Sequence, residues 1–221
     1  MTLKINYFNG QKEPSKNKAL FLGKDSKVSD FKGLFDDRIN KKIIKFLTSS
    51  KKIDKNKIIS LNLEFDEKII IVLLASKNDA QEAERLGAKF YDHIKKNEIE
   101  NILILGSSQP SVKNKIKFDE FLHGAELKSY EFNLYKTRKN KKIINFNVLK
   151  AKNIINEKQK YKLDALLKGV NFTKDLVSEP GNILHPDEYA KRIIKLKKLG
   201  IKVTVYDNKK LKKLGCNALL G

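Results

Sequence analysis

Apolar and polar positions along the chain fall into two periods. Leu3 to Phe8 alternates, as does Ile58 to Phe65 with Ile59, Leu61, Leu63 and Phe65 on one face. Ile143 to Leu149 alternates again. A period of two predicts strands with one buried face. Ala19 to Leu22 is short, and Ile69 to Ala75 and Ile102 to Leu105 are continuous apolar runs. Such runs suit strands covered on both faces. Ile201 to Tyr206 is Val-rich and predicts one more strand.

Helical spacing lies between these strands. Phe35 to Leu47 carries Ile39, Ile43, Phe46 and Leu47 on one stripe. A second helix opens at Asn78 as N-cap, with Gln81 in the N3 place of a capping box, and stripes Ala83, Leu86, Phe90 and Ile94. A third runs from Phe118 to Tyr130. A long one from Glu157 to Ser178 aligns Leu163, Leu166, Leu167, Val170 and Val177. Pro186 suits N1 of a helix that buries Tyr189, Ile193 and Leu196 and stops at Gly200. Lys209 to Leu214 predicts a last short helix. Alternating strands and helices argue α/β layers. The natural boundary is near Leu149, giving an N-terminal α/β domain over 1–150. Residues 151–221 are a linking helix and the start of a second unit. With one clear strand, that unit cannot close a sheet layer and reads as unfinished.

Composition narrows the classes. The chain has 221 residues and a single cysteine, Cys216, which excludes an intramolecular disulfide scaffold. The longest apolar run, Ile69 to Ala75, is far short of the ~20 residues a membrane helix needs. The N-terminus has no apolar signal core. A reducing cytoplasm is the expected compartment. The formal net charge of +21 invites a nucleic-acid-binding reading through counterion release. Against it, the chain holds 43 Lys but only 4 Arg, with 20 Asn and 23 Ile. That mix is the signature of an AT-rich coding sequence, and arginine is the residue that forks onto guanine and phosphate.

Catalytic constellations are absent from the sequence: no His-Glu-x-x-His, Cys-x-x-Cys, Walker A, Gly-x-Gly-x-x-Gly or Gly-x-Ser-x-Gly. His93, beside Asp92, has no second ligand at i±4 and reads as a solvent-facing or half-buried helical histidine, as does His123. His185 stands where an N-cap belongs. Cys216 has no His/Asn framework that would make it a nucleophile. Glu64, Asp66 and Glu67 fit a solvated hairpin, and Asp187 and Glu188 complement a helix dipole. Gly106-Ser107-Ser108 follows a buried strand and could cradle a phosphate, which leaves open an ADP-ribose-type binder.

Three stretches are more specific. The first is Phe118-Asp119-Glu120-Phe121-Leu122-His123-Gly124-Ala125-Glu126-Leu127-Lys128-Ser129-Tyr130-Glu131-Phe132, then Tyr135-Lys136-Thr137. The second runs from Gly169 through Lys174-Asp175-Leu176-Val177-Ser178-Glu179-Pro180-Gly181-Asn182 to Pro186-Asp187-Glu188-Tyr189-Ala190. The third is Leu211-Lys212-Lys213-Leu214-Gly215-Cys216-Asn217-Ala218-Leu219-Leu220-Gly221. In this order they resemble the leucyl aminopeptidase (cytosol aminopeptidase) family over roughly Gly87 to Gly221. Lys174, Ser178, His185, Cys216 and Asn217 depart from the family's usual Arg, Asn, Thr, Met and Gly.

The resemblance implies a macro-domain-like three-layer N-terminal domain, followed by the first helix-strand elements of an incomplete α/β catalytic domain. It implies a cytoplasmic, hexameric metalloprotease that releases N-terminal amino acids from peptides with two divalent metals, manganese or zinc. The family's metal and catalytic residues sit in "Val-Gly-Lys-Gly…Phe-Asp-Ser-Gly-Gly" and "Asn-Thr-Asp-Ala-Glu-Gly-Arg" segments that lie beyond the point matching Gly221. No residue of this chain therefore inherits a catalytic, cofactor or metal role, and this N-terminal fragment is expected to be inactive. The alternative is a non-catalytic, basic nucleic-acid-binding module. Ala218, Leu219 and Leu220 are expected to leave apolar surface uncovered.

Overall fold

The computed structural model describes residues 2–8, 15–23, 26–27, 35–50, 55–64, 66–76, 78–105, 116–137, 142–149 and 157–220. The chain forms two compact units, Met1–Asn171 and Phe172–Gly221.

The first unit is built on a six-stranded sheet. Its strands are β1 (Leu3–Phe8), β2 (Lys18–Leu22), β3 (Lys57–Glu64), β4 (Glu67–Leu73), β5 (Asn101–Ile104) and β6 (Ile144–Leu149). The spatial order is β1-β6-β5-β2-β4-β3. All neighbours pair in parallel except β3, which returns antiparallel to β4 and places Glu64 opposite Glu67. The central strands are the continuous apolar runs: Ala19 to Leu22 and Ile69 to Val72 have no exposed surface. The edge strands β1 and β3 carry the alternating pattern, as half-covered strands should.

Both faces of the sheet are covered. Leu20, Leu22, Ile69 and Ile71 point to one side, where they meet Ile43 of α1 (Asp37–Ser50). Ala19, Phe21, Ile70 and Val72 point to the other, against α2 (Ala80–Lys96) and α3 (Phe118–Lys128). This is the expected α/β layering. Aromatic edges fill the second core: Phe121 lies 5.2 Å from Phe21 and 5.4 Å from Phe90, and Phe90 lies 5.3 Å from Phe146.

Two glycines set the distance between α2 and α3. A Cβ on Gly87 would fall 1.8 Å from the Phe121 carbonyl oxygen, and one on Gly124 1.9 Å from that of Glu84. The helices therefore touch backbone to backbone, which only glycine permits at both points.

The second helix starts one residue later than the capping pattern predicts. The Asp79 carboxylate is the cap and accepts from the Glu82 N–H at 2.8 Å. Asn78 is spent elsewhere: its amide oxygen accepts from Asn56 and its nitrogen donates to the Ala75 carbonyl.

The long helix α4 (Glu157–Ser178) starts in the first unit and ends in the second. Of its predicted stripe, Leu163 and Leu167 are buried, whereas Leu166 and Val170 are partly out and Val177 is 81% exposed. In the second unit, α5 (Pro186–Ile194) continues as a 3-10 turn to Leu199 and stops at Gly200, whose φ of 82° is left-handed. The helix has Pro186 in its first turn as expected, but Tyr189 is 47% exposed and the helix buries nothing. The short α6 (Asn208–Lys213) is capped by Asp207. The strand expected at Ile201 to Tyr206 does not form: these residues have no sheet neighbour among the described residues, and Val205 and Tyr206 are half exposed. β-propensity reports fit to a packed neighbour, and none is present there.

Candidate functional site

The first unit contains a cavity of about 200 Å³ where β1, α3 and α4 meet. Alternation in β1 turns Ile5 and Tyr7 to this side of the sheet, on the same face as buried Leu3. Helix α3 presents Asp119, Leu122, His123 and Glu126, spaced i, i+3, i+4 and i+7, one face of a helix. Helix α4 adds Lys160, Leu163 and Asp164 by the same rule. Buried Leu163 and Leu167 hold α4 in place, and the Gln159 amide donates to the Glu120 carboxylate at 3.1 Å.

The electrostatics of the cavity are unlike those of the whole chain. Glu126 is pushed up to about 7 by burial and then by the neighbouring Asp164 carboxylate, with Lys160 acting the other way. The Tyr7 phenol is pushed up to about 12 by burial and by Glu126, Asp119 and Asp164. The Lys160 ammonium sits 4.9 Å from the centre of the Tyr7 ring. His123 is held below the usual imidazole range by burial, against the opposing pull of Glu84, Asp164 and Glu120. It is 4% exposed, and its Nδ1 has no hydrogen-bond partner. This corrects the expectation of a solvent-facing or half-buried His123. Gly124 draws α3 so close to α2 that its neighbour is buried with it.

The other candidates have local roles. His93 Nε2 is 2.7 Å from the Ser60 hydroxyl. Burial and the charges of Lys96 and Lys68 hold His93 down. The Ser60–His93 pair lines neither described cavity. His185 occupies the N-cap of α5 without a side-chain cap bond. Glu188 and Glu179 both accept from Arg192, at 3.2 and 2.8 Å, so the Ser178-Glu179-Pro180 segment is tied to α5. Cys216 follows the left-handed Gly215, and its Sγ faces the Leu214 carbonyl at 4.0 Å. Glu67 stands at the β3–β4 hairpin as expected. Gly106, Ser107 and Ser108 lie outside the described residues.

A second cavity of about 160 Å³ sits beside Thr2, Tyr91 and Ile144. Four of its charges face one another: Lys95 donates to Glu131 at 2.7 Å, and Lys142 lies 3.9 Å from Glu100. The Thr2 and Tyr91 hydroxyls are hydrogen-bonded to each other.

Comparison with known proteins points in one direction. No family model matches the chain. It is 46% identical over 107 residues to a probable cytosol aminopeptidase of Phytoplasma mali, covering 45% of this chain and 21% of that protein. It is 40% identical over 103 residues to one from Afipia carboxidovorans, covering 44% and 20%. The matches thus span about a fifth of the length of these relatives. Among solved structures it is similar to a tomato leucine aminopeptidase mutant, with a TM-score of 0.65 and 18% identity over 96% of this chain and 46% of the other. It is also similar to the bottromycin maturation enzyme BotP, with a TM-score of 0.57 and 13% identity over 91% and 41%. These structural likenesses establish the fold.

Proposed function

We propose, from the premise that this chain is related to the N-terminal portion of the leucyl (cytosol) aminopeptidases, that it is the non-catalytic part of such an enzyme. The parent would release N-terminal amino acids from peptides. The observation that carries this reading is the 46% identity to a probable cytosol aminopeptidase. The shared fold supports it. Residues 1–150 form the N-terminal domain that supports a hexamer, and residues 151–221 hold the linking helix and the incomplete start of the peptidase domain. The parent works in the cytoplasm.

The family's chemistry requires two metals, which together activate a water and hold the scissile carbonyl. The described residues do not fit that pair: no three His, Cys, Asp or Glu side chains among them converge on a metal-sized site. No step of peptide hydrolysis is assigned to this chain, whose expected inactivity rests on the family's metal-binding segments lying beyond the point matching Gly221. Manganese or zinc belongs to the parent; one relative of this fold, BotP, has been solved in complex with Mn.

The test is hydrolysis of Leu-p-nitroanilide with added manganese. Residues 1–221 should release no p-nitroaniline. A longer chain that runs through the Val-Gly-Lys-Gly and Asn-Thr-Asp-Ala-Glu-Gly-Arg segments should do so and lose the activity to a chelator. Chelator-sensitive turnover by residues 1–221 would contradict this division of labour. A longer chain that turns over no peptide would sink the aminopeptidase reading.

One observation favours a second reading, the net charge of +21. A basic module that binds nucleic acid would retain one preferred sequence at physiological salt. Binding that ignores sequence and collapses with salt is charge alone.

A further inference from the structure

We propose that the joint between α3 and α4 is a pH-sensitive clasp: the first half of α4 stays docked while Glu126 carries a proton, and loosens when Glu126 ionises opposite Asp164. The two carboxylates line the same cavity, one from each helix. Docking of α4 brings them together, and undocking separates them.

The buried side of α4 at this joint is a single row. Lys160, Leu163, Asp164 and Leu167 stand at i, i+3, i+4 and i+7. Leu163 and Leu167 are buried, whereas Tyr161 is 79% exposed and Leu166 49%. The Gln159 amide ties the start of the helix to Glu120. A Cβ on Gly169 would meet nothing within 4 Å, so α4 lacks at that point the backbone contact that Gly87 and Gly124 give α2 and α3. A helix held along one row is sensitive to a charge placed in that row.

The charges at the joint do not balance. The groups that face Glu126 are Tyr7 from β1, Lys160 and Asp164 from α4, and Asp119 and His123 from its own helix. Glu84 of α2 acts on the same histidine. Lys160 is the one ammonium among these groups, and it lies 4.9 Å from the centre of the Tyr7 ring. Burial holds His123 below the usual imidazole range, so it adds no positive charge near neutral pH. One ammonium cannot neutralise both Glu126 and Asp164, and like charges in a half-buried joint repel.

In the docked helix pair, burial and then Asp164 let Glu126 keep its proton up to about 7. Undocking returns Glu126 to water and takes Asp164 away, so its hold on the proton falls toward that of an ordinary carboxylate, about 4.3. The docked state binds the extra proton between those two values, so docking weakens as pH rises through about 7. One such group shifts the docking equilibrium by about tenfold between pH 6 and pH 8.

The experiment is hydrogen exchange on the full chain at pH 6 and pH 8, with each amide's rate compared with that of an unstructured chain at the same pH. Amides from Lys162 to Lys168 should be less protected than those of β4 at both values, because α4 opens without the rest of the unit. Their protection should fall about tenfold from pH 6 to pH 8. Glu126→Gln keeps the shape of the protonated acid and should abolish that fall. Asp164→Asn should shrink it, and Glu98→Gln in the other cavity should leave it whole. Equal protection of α4 and β4 at both pH values would overturn the proposal, since α4 would then open only with the whole unit. So would α4 protection that does not fall with pH, or a tenfold fall that persists in Glu126→Gln. If Glu126→Gln does not fold, an undiminished fall in Asp164→Asn overturns it instead.

Discussion

Two stretches of this chain both carry a strand signal and meet opposite fates. Ile69 to Ala75 becomes the core of β4, with β2 on one side, β3 on the other and helices over both faces. Ile201 to Tyr206 places Ile201, Val203 and Val205 at alternate positions and forms no ladder among the described residues. The difference lies in what surrounds them. A strand is stabilised by cross-strand pairs and by burial of its faces, so its signal is conditional on neighbours. The glycines repeat the contrast. Gly87 and Gly124 are fixed by backbone pressed against backbone, whereas Gly200 and Gly215 have no atoms near the place of a Cβ and serve only left-handed turns.

The largest effect should come from the aromatic core. Phe121→Ala should cost the first unit about 4 kcal/mol in a urea melt. Leu219→Ala, at 75% exposure in the second unit, should change stability by no more than about 0.5 kcal/mol. Equal costs at the two sites would erase the distinction between the units. Next come the glycines of the helix contact. Gly87→Ala and Gly124→Ala should each destabilise by about 3 kcal/mol, because α2 and α3 must part to admit a methyl. In contrast, Gly169→Ala, in open space on α4, should stabilise by about 0.5–1 kcal/mol.

The cavity adds a pH signature. Glu126 in the folded chain holds its proton up to about 7, well above its value in the unfolded chain. Between those two values the folded state binds more protons, so stability falls as pH rises through that window. Glu126→Gln should match the parent chain at about pH 4 and melt higher than it at about pH 8, in thermal scans. A parent chain that gains stability over that interval while the variant does not would contradict the assignment. The smallest effect belongs to the Lys95–Glu131 ion pair. Lys95 is half exposed, and Lys95→Met should cost less than about 1 kcal/mol, shrinking further in salt.

Much of the fold is legible in the residues themselves. Period two marked the edge strands β1 and β3, and also β6, which lies between β1 and β5, while unbroken apolar runs marked β2, β4 and β5. Local competition was less visible. Asn78 and Asp79 are both good caps, and only the tertiary pairing of Asn78 with Asn56 decides between them. Val177 fits the stripe of α4 in spacing but stays exposed, since periodicity gives a face without saying what covers it. The cavity was not legible. Asp119, His123 and Glu126 read as the polar face of one helix, and Lys160 and Asp164 as that of another. Only the docking of α4 against α3 and β1 turns two solvated faces inward. The one available signal was a row of ionisable residues at i, i+4 and i+7 on α3, Asp119, His123 and Glu126.

Hydrogen exchange on the intact chain tests most directly the claim that the first unit holds a finished core and the second does not. The account predicts the slowest amides in β2, β4 and β5, where opening requires the unit to unfold, and fast exchange throughout Ile201 to Tyr206. Protection across Ile201 to Tyr206 equal to that of β4 would contradict it.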